Sequence, residues 1–98
     1  MVAVFVTFQY GSDFDEAKLR KLAESSRGKF EGMQGLRSKI YAIRPQMRQS
    51  TSVYVWDSEA AARAFFNEAM VERVTGLYGV APVIDFAEIP QLVDNARG

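Results

Sequence analysis

Short segments rich in β-branched and aromatic residues alternate with stretches whose apolar positions recur every three or four residues. The order this predicts is strand, helix, strand, strand, helix, strand. The first segment, VAVFVTFQ from Val2 to Gln9, runs into the turn residues Tyr10-Gly11-Ser12-Asp13. Val2, Val4, Val6 and Phe8 point one way and Ala3, Phe5 and Thr7 the other, as in a central strand covered on both faces. Asp13, with Glu16 three positions later, has the form of a capping box and predicts a helix start. Leu19, Leu22, Ala23, Ser26 and Phe30 form its apolar stripe, and Gly28, Gly32 and Gly35 loosen and end it.

LRSKIYAIR, Leu36 to Arg44, reads as the second strand. Strict alternation puts Leu36, Ser38, Ile40 and Ala42 on one face and Arg37, Lys39, Tyr41 and Ile43 on the other. Pro45 to Ser50 is a polar loop, and TSVYVW, Thr51 to Trp56, is a third strand that pairs with the second as a hairpin. Asp57 or Ser58 caps a second helix with Ala61, Ala64, Phe65 and Ala69 on one face. Met70 to Leu77 either continues it after a bend or forms a separate short helix. Val80 to Ile89 is the last strand, with Pro82 near its start suggesting an edge, and Gln91 to Gly98 is a polar tail.

The expected fold is therefore α+β, a ferredoxin-like βαββαβ chain forming one domain over residues 1–98. It has an antiparallel four-stranded sheet with helices on one face. The other sheet face would then present Val, Phe, Ile and Tyr side chains to water. A soluble monomer rarely tolerates such a patch, which points to a homodimer packed face to face.

Composition narrows the chemistry. The chain of 98 residues has neither Cys nor His, which removes disulfides, thiolate nucleophiles, Cys/His zinc sites, the usual haem ligands and Ser-His-Asp triads. No Asp/Glu run has metal-loop spacing, so no metal is expected. Twelve basic and twelve acidic residues cancel, with no basic block for nucleic acid. The longest apolar run is too short for a bilayer and lacks a basic lead, so no membrane partner is expected and a cytoplasmic location is.

Three segments carry a family resemblance: GLRSKIYAI (Gly35 to Ile43), SVYVWDSEAAARAFF (Ser52 to Phe66), and a final strand followed by IPQLVDN. They are similar to the YdhR-like small monooxygenases of the dimeric α/β-barrel superfamily, which also holds the antibiotic-biosynthesis monooxygenases. The resemblance implies a homodimer whose two sheets meet as a barrel, with an apolar pocket between sheet and helices in each subunit. It also implies cofactor-free oxygenation of a polycyclic aromatic or phenolic small molecule. In related aromatic-polyketide oxygenases an aromatic closes the third strand before a Ser-led helix, as Trp56 does before Asp57-Ser58. Those enzymes carry an amide four positions before that aromatic, whereas this chain has Ser52. Haem-degrading relatives need a His that is absent here.

Without flavin or metal, triplet dioxygen reacts only with a substrate that donates an electron, such as the anion of an enol, anthrone or hydroquinone. The protein then binds the ring, assists deprotonation and excludes water. Ser38, Ser52, Tyr54 and Trp56 are expected to face the helices and line the pocket, finished by Phe65, with Tyr54 relaying a proton and Trp56 stacking on the substrate. Lys39 is the second catalytic candidate, a cation favouring a substrate anion. Alternation aims it at the opposite face, and it reaches this pocket only if the strand bulges or the cavity opens to the barrel. The same residues have plain packing readings. Tyr54 and Trp56 suit a core with polar tips satisfied, Lys39 a snorkelling surface or interface lysine, Phe65 and Phe66 a helix's buried face, and no His activates either serine. The rival functions are a non-catalytic small-molecule-binding or stress-response module of the same fold, and an RNA-binding βαββαβ domain. TSVYVW lacks the glycine-aromatic signature of the latter.

Overall fold

The computed structural model describes residues 1–95. Its elements run β1 (Val2–Gln9), α1 (Glu16–Phe30), β2 (Leu36–Arg44), a 3-10 turn (Pro45–Met47), β3 (Gln49–Trp56), α2 (Glu59–Phe65), α3 (Glu68–Tyr78) and β4 (Val83–Glu88). The four strands lie in the order β2-β3-β1-β4 with every neighbouring pair antiparallel, the ferredoxin-like βαββαβ arrangement. β1 and β2 have the bounds their apolar patterns predict. β4 starts later than expected, at Val83, because Pro82 has no N–H to give to the ladder. The expected tail carries no helix or strand from Gln91 to Asn95, and residues 96–98 lie outside the described residues.

The helices cover one face of the sheet. Val2, Val4, Val6 and Phe8 of β1 lie opposite Trp56, Tyr54, Ser52 and Ser50 of β3. Together with Ala62 of α2, the apolar members of these pairs form the buried cluster against which Phe30, Phe65, Phe66, Val74 and Tyr78 pack. Trp56 is 2% exposed and sits among Tyr54, Phe65 and Phe66. Its indole N–H has no hydrogen-bond partner among the described residues. Gly35 lets α2 approach it: the backbone there has φ of +85°, and a Cβ would lie 3.1 Å from the Ala61 Cβ.

Helix ends differ from the sequence reading in two places. α1 is capped by Asp15, whose carboxylate accepts from the Lys18 N–H at 3.1 Å, and not by Asp13. Asp13 accepts from the Gly11 N–H instead, closing the turn that delays the helix by two residues. Ser58 caps α2. The break between α2 and α3 is held by one side chain. Asn67 donates to the Ala64 carbonyl at 3.2 Å and accepts from the Met70 N–H at 2.9 Å, so it closes one helix and caps the next. The break changes the helical phase. Beyond it Ala69, expected on the inner face, is exposed and Met70 is buried; within α2 itself Ala64, also expected inside, is exposed and Ala62 is buried in its place.

Among the described residues the opposite sheet face carries no helix. Phe5, Ile40 and Val83 on it are 38%, 57% and 60% exposed.

Candidate active site

The site begins with one irregularity in β2. Leu36 pairs with Trp56, but the next partner of Val55 is Ser38, so Arg37 and Ser38 share a single place opposite β3. The extra residue reverses the alternation. Beyond it Lys39, Tyr41 and Ile43 lie opposite Tyr54, Ser52 and Ser50 on the helix side, and Ser38, Ile40 and Ala42 turn to the open side. Arg37 is directed outward to the Asp57 carboxylate at 3.1 Å. Simple alternation predicts Ser38 in the pocket and Lys39 outside it; the bulge exchanges them.

Lys39 enters a nest of rings. Its Nζ lies 3.7 Å from the centroid of Phe30, 4.2 Å from Tyr41 and 4.5 Å from Tyr54. It has no ion pair among the described residues. Burial pushes its pKa down to about 7, and the nearby charge of Lys29 adds to the fall. The ring faces act in the other direction, since only the ammonium is drawn to their quadrupoles. Lys39 is thus poised between cation and free amine near neutrality. Tyr54 differs. Burial first, and then the neighbouring Tyr78 and Tyr41, push its hydroxyl pKa far up, so it stays a phenol that can donate a hydrogen bond.

Beside Lys39 is a cavity of about 170 Å³ between sheet and helices. Phe8, Phe30, Tyr54, Phe65, Val74 and Tyr78 supply its aromatic and apolar wall. Ser26, Ser52, Lys29, Lys39 and Arg73 supply its other polar groups, and no carboxylate among the described residues lines it. The Tyr41 hydroxyl is hydrogen-bonded to the Ser26 Oγ at 2.8 Å, fixing the ring that covers Lys39. A shallower depression of about 420 Å³ follows the seam of α1 and β2 and shares Phe30 and Lys39 with the cavity. The cavity is the better candidate because its walls are apolar and aromatic and its polar groups converge, whereas the depression is open to solvent.

Of the residues singled out in the sequence, Lys39, Ser52, Tyr54 and Phe65 meet at the cavity. Ser38 lines only the outer depression. Trp56 is packed behind Tyr54, with ring centroids 6.3 Å apart, and does not reach the cavity wall. Ser26 and Phe30 were visible in the α1 stripe as core positions. Arg73, Val74 and Tyr78 depend on the phase change at Asn67, and Tyr41 on the bulge, neither of which leaves a mark in hydrophobic periodicity. Among the described residues no group of three or more Asp or Glu could hold a metal ion. No helix among them is long and apolar enough to cross a membrane.

No family model matches this sequence, and no curated protein matches it. Solved structures do match. NE2512, a protein of unknown function from Nitrosomonas europaea, superposes with a TM-score of 0.77 at 16% identity, over 98% of this chain and 95% of that one. The ActVA-Orf6 monooxygenase of Streptomyces coelicolor, solved with the ligand nanaomycin D, gives 0.68 at 19% identity over 97% and 92%. A variant of SnoaB, a cofactor-independent oxygenase from Streptomyces nogalater, gives 0.67 at 14% identity over 94% and 95%. The chain is a structural neighbour of the antibiotic-biosynthesis-monooxygenase-like proteins and carries their fold.

Proposed function

We propose that this chain is a cofactor-independent monooxygenase acting on a phenolic aromatic small molecule. The observation that carries the reading is Lys39, an amine held among three ring faces at the wall of an apolar cavity, with burial drawing its pKa to about 7. Its free amine accepts the proton of a bound phenol or enol. The ammonium so formed then stands beside the anion and stabilises it in a site with little water to do so. Tyr54 donates a hydrogen bond to the same oxygen. The anion transfers an electron to dioxygen, and the radical pair joins at the carbon para to the oxygen. Loss of water from the hydroperoxide leaves a quinone. One phenol and one dioxygen thus give one quinone and one water, with all four electrons supplied by the substrate. The fold shared with ActVA-Orf6 and SnoaB supports this reading.

Oxygen-electrode traces with 1-naphthol and anthrone test it. The expected result is catalysed uptake that yields quinone and no hydrogen peroxide, so that added catalase returns no oxygen. Binding without uptake across the panel would instead identify a non-catalytic binding module.

The working unit is a homodimer joined through the helix-free sheet face, whose occupant is the same face of a second copy. Phe5, Ile40 and Val83 are exposed there, and a two-fold pairing removes all of them from water at once. Sedimentation is expected to show a species of twice 11.0 kDa, and Ile40→Asp to shift it toward the monomer. A wild-type monomer at high concentration would end this part of the reading.

A further inference from the structure

Among the described residues the charged groups of the cavity are all cations. Lys39 stands on the sheet, Lys29 on α1 and Arg73 on α3. Lys29 and Arg73 are exposed and so mark the rim, with Leu77 beside them. They are near enough to repel: after burial, the charge of Arg73 is what lowers the Lys29 pKa. Neither has an ion-pair partner among the described residues. Of the other basic residues of α1, the two arginines find partners, Arg20 with Glu16 at 2.9 Å and Arg27 with Glu31 at 3.8 Å, while Lys18 and Lys21 have no ion pair among the described residues and lie away from the cavity. Two unneutralised cations facing each other over an apolar opening repel, and a bound anion converts that repulsion into attraction.

Size adds a second constraint. A cavity of about 150 Å³ accommodates one benzene ring, and this one is about 170 Å³. A ligand therefore seats one ring inside, and any further ring or substituent lies at the rim. Lys39, deep on the sheet, is engaged with the hydroxyl, so the rim pair addresses a separate group.

Building on the reading of the cavity as a phenol-oxygenating site, we propose that its substrate is a one- or two-ring phenol bearing a carboxylate. The phenol ring lies against Phe30 and Tyr54 beside Lys39, and the carboxylate is held between Lys29 and Arg73. The guanidinium of Arg73 offers two parallel donors to the two carboxylate oxygens, and Lys29 adds a point charge.

The test is a matched pair, 5-hydroxy-1-naphthoate and 1-naphthol, which share ring system and hydroxyl and differ by the carboxylate. Calorimetric titration of the whole chain at low salt is expected to show the acid binding roughly ten-fold tighter. The preference should shrink as salt is added, which requires no variant. It should also disappear in the Lys29→Gln/Arg73→Gln double variant and survive in Lys29→Arg. Equal affinity for the two compounds, or a preference unchanged by salt and by the double variant, overturns the inference while leaving phenol oxygenation standing. If neither compound binds, the cavity is not the ligand site, and both readings fall.

Discussion

Lys39→Met is expected to lower kcat/KM for oxygen consumption by about 10²- to 10⁴-fold, the usual worth of a positioned general base, while leaving the protein at least as stable as the wild type. The two halves of this expectation have one cause. Lys39 is half-buried against Phe30, Tyr41 and Tyr54 without an ion-pair partner among the described residues, so its charge costs free energy to hold in place. An unbranched apolar side chain of similar length fills the same space without that cost. A residue retained only for packing would give the opposite result, with activity kept and stability altered by little.

The dependence on pH separates these roles further. The ammonium gives up its proton at about 7 in the folded chain and at 10.5 in the unfolded one. Between these values the unfolded chain holds more protons, so raising the pH favours the folded form. The destabilising contribution of the half-buried cation is complete below about pH 7 and is relieved progressively up to 10.5. Above about 10 the trend turns, because burial raises the Tyr54 and Tyr78 hydroxyls and the unfolded chain then loses protons first. Urea denaturation of the wild type should therefore show stability rising from neutral pH toward the tyrosine range, and Lys39→Met should remove that rise. The rising limb of kcat/KM near pH 7 should vanish with it. A limb that persists in the variant would assign the base to the substrate or to another group.

Trp56→Ala is expected to cost about 3–5 kcal/mol, a large part of the stability of an ordinary small domain. The ring fills the space between β3, α2 and the Gly35 turn and meets Tyr54, Phe65 and Phe66 at centroid distances of 6.3, 5.3 and 6.0 Å. The lining of the resulting void comes from both sheet and helix, and α2 is pinned at its ends by Ser58 and Asn67, so collapse around the gap is restricted. Trp56→Phe should cost only about 1–2 kcal/mol, since most of the aromatic volume remains and the lost indole N–H had no partner among the described residues. Urea midpoints of the two variants measure the difference. Similar costs would mean that the N–H is satisfied in solution. A large rise in KM for Trp56→Phe would mean that the indole touches substrate after all.

The polar pattern of α1 and the small residues of α2 were legible as helices, but their caps and phase were less so. Asp13 and Asp15 are both competent caps, and the choice between them rests on the turn closed by the Gly11 and Asp13 contact. Asn67 could be read as a loop residue, yet its role in joining two helices emerges only once both partners, Ala64 and Met70, are in place. The cavity inherits these choices, since Arg73, Val74 and Tyr78 reach it through the phase that Asn67 sets.

What the sequence determined by itself is the order of the elements, the bounds of β1 and β2, an apolar sheet face with no helix to cover it, and the exclusion of imidazole and thiol chemistry. Each of these follows from composition or from a period local to a few residues. What tertiary structure alone decided is which side chains meet. The bulge at Arg37 and Ser38 arises in the pairing of β2 with β3, and because strand side chains alternate with period two, one unpaired residue sends every later side chain to the other face. Lys39 became a cavity residue and Ser38 an outer one through that single step in register, a relation between two strands that neither strand's own sequence encodes.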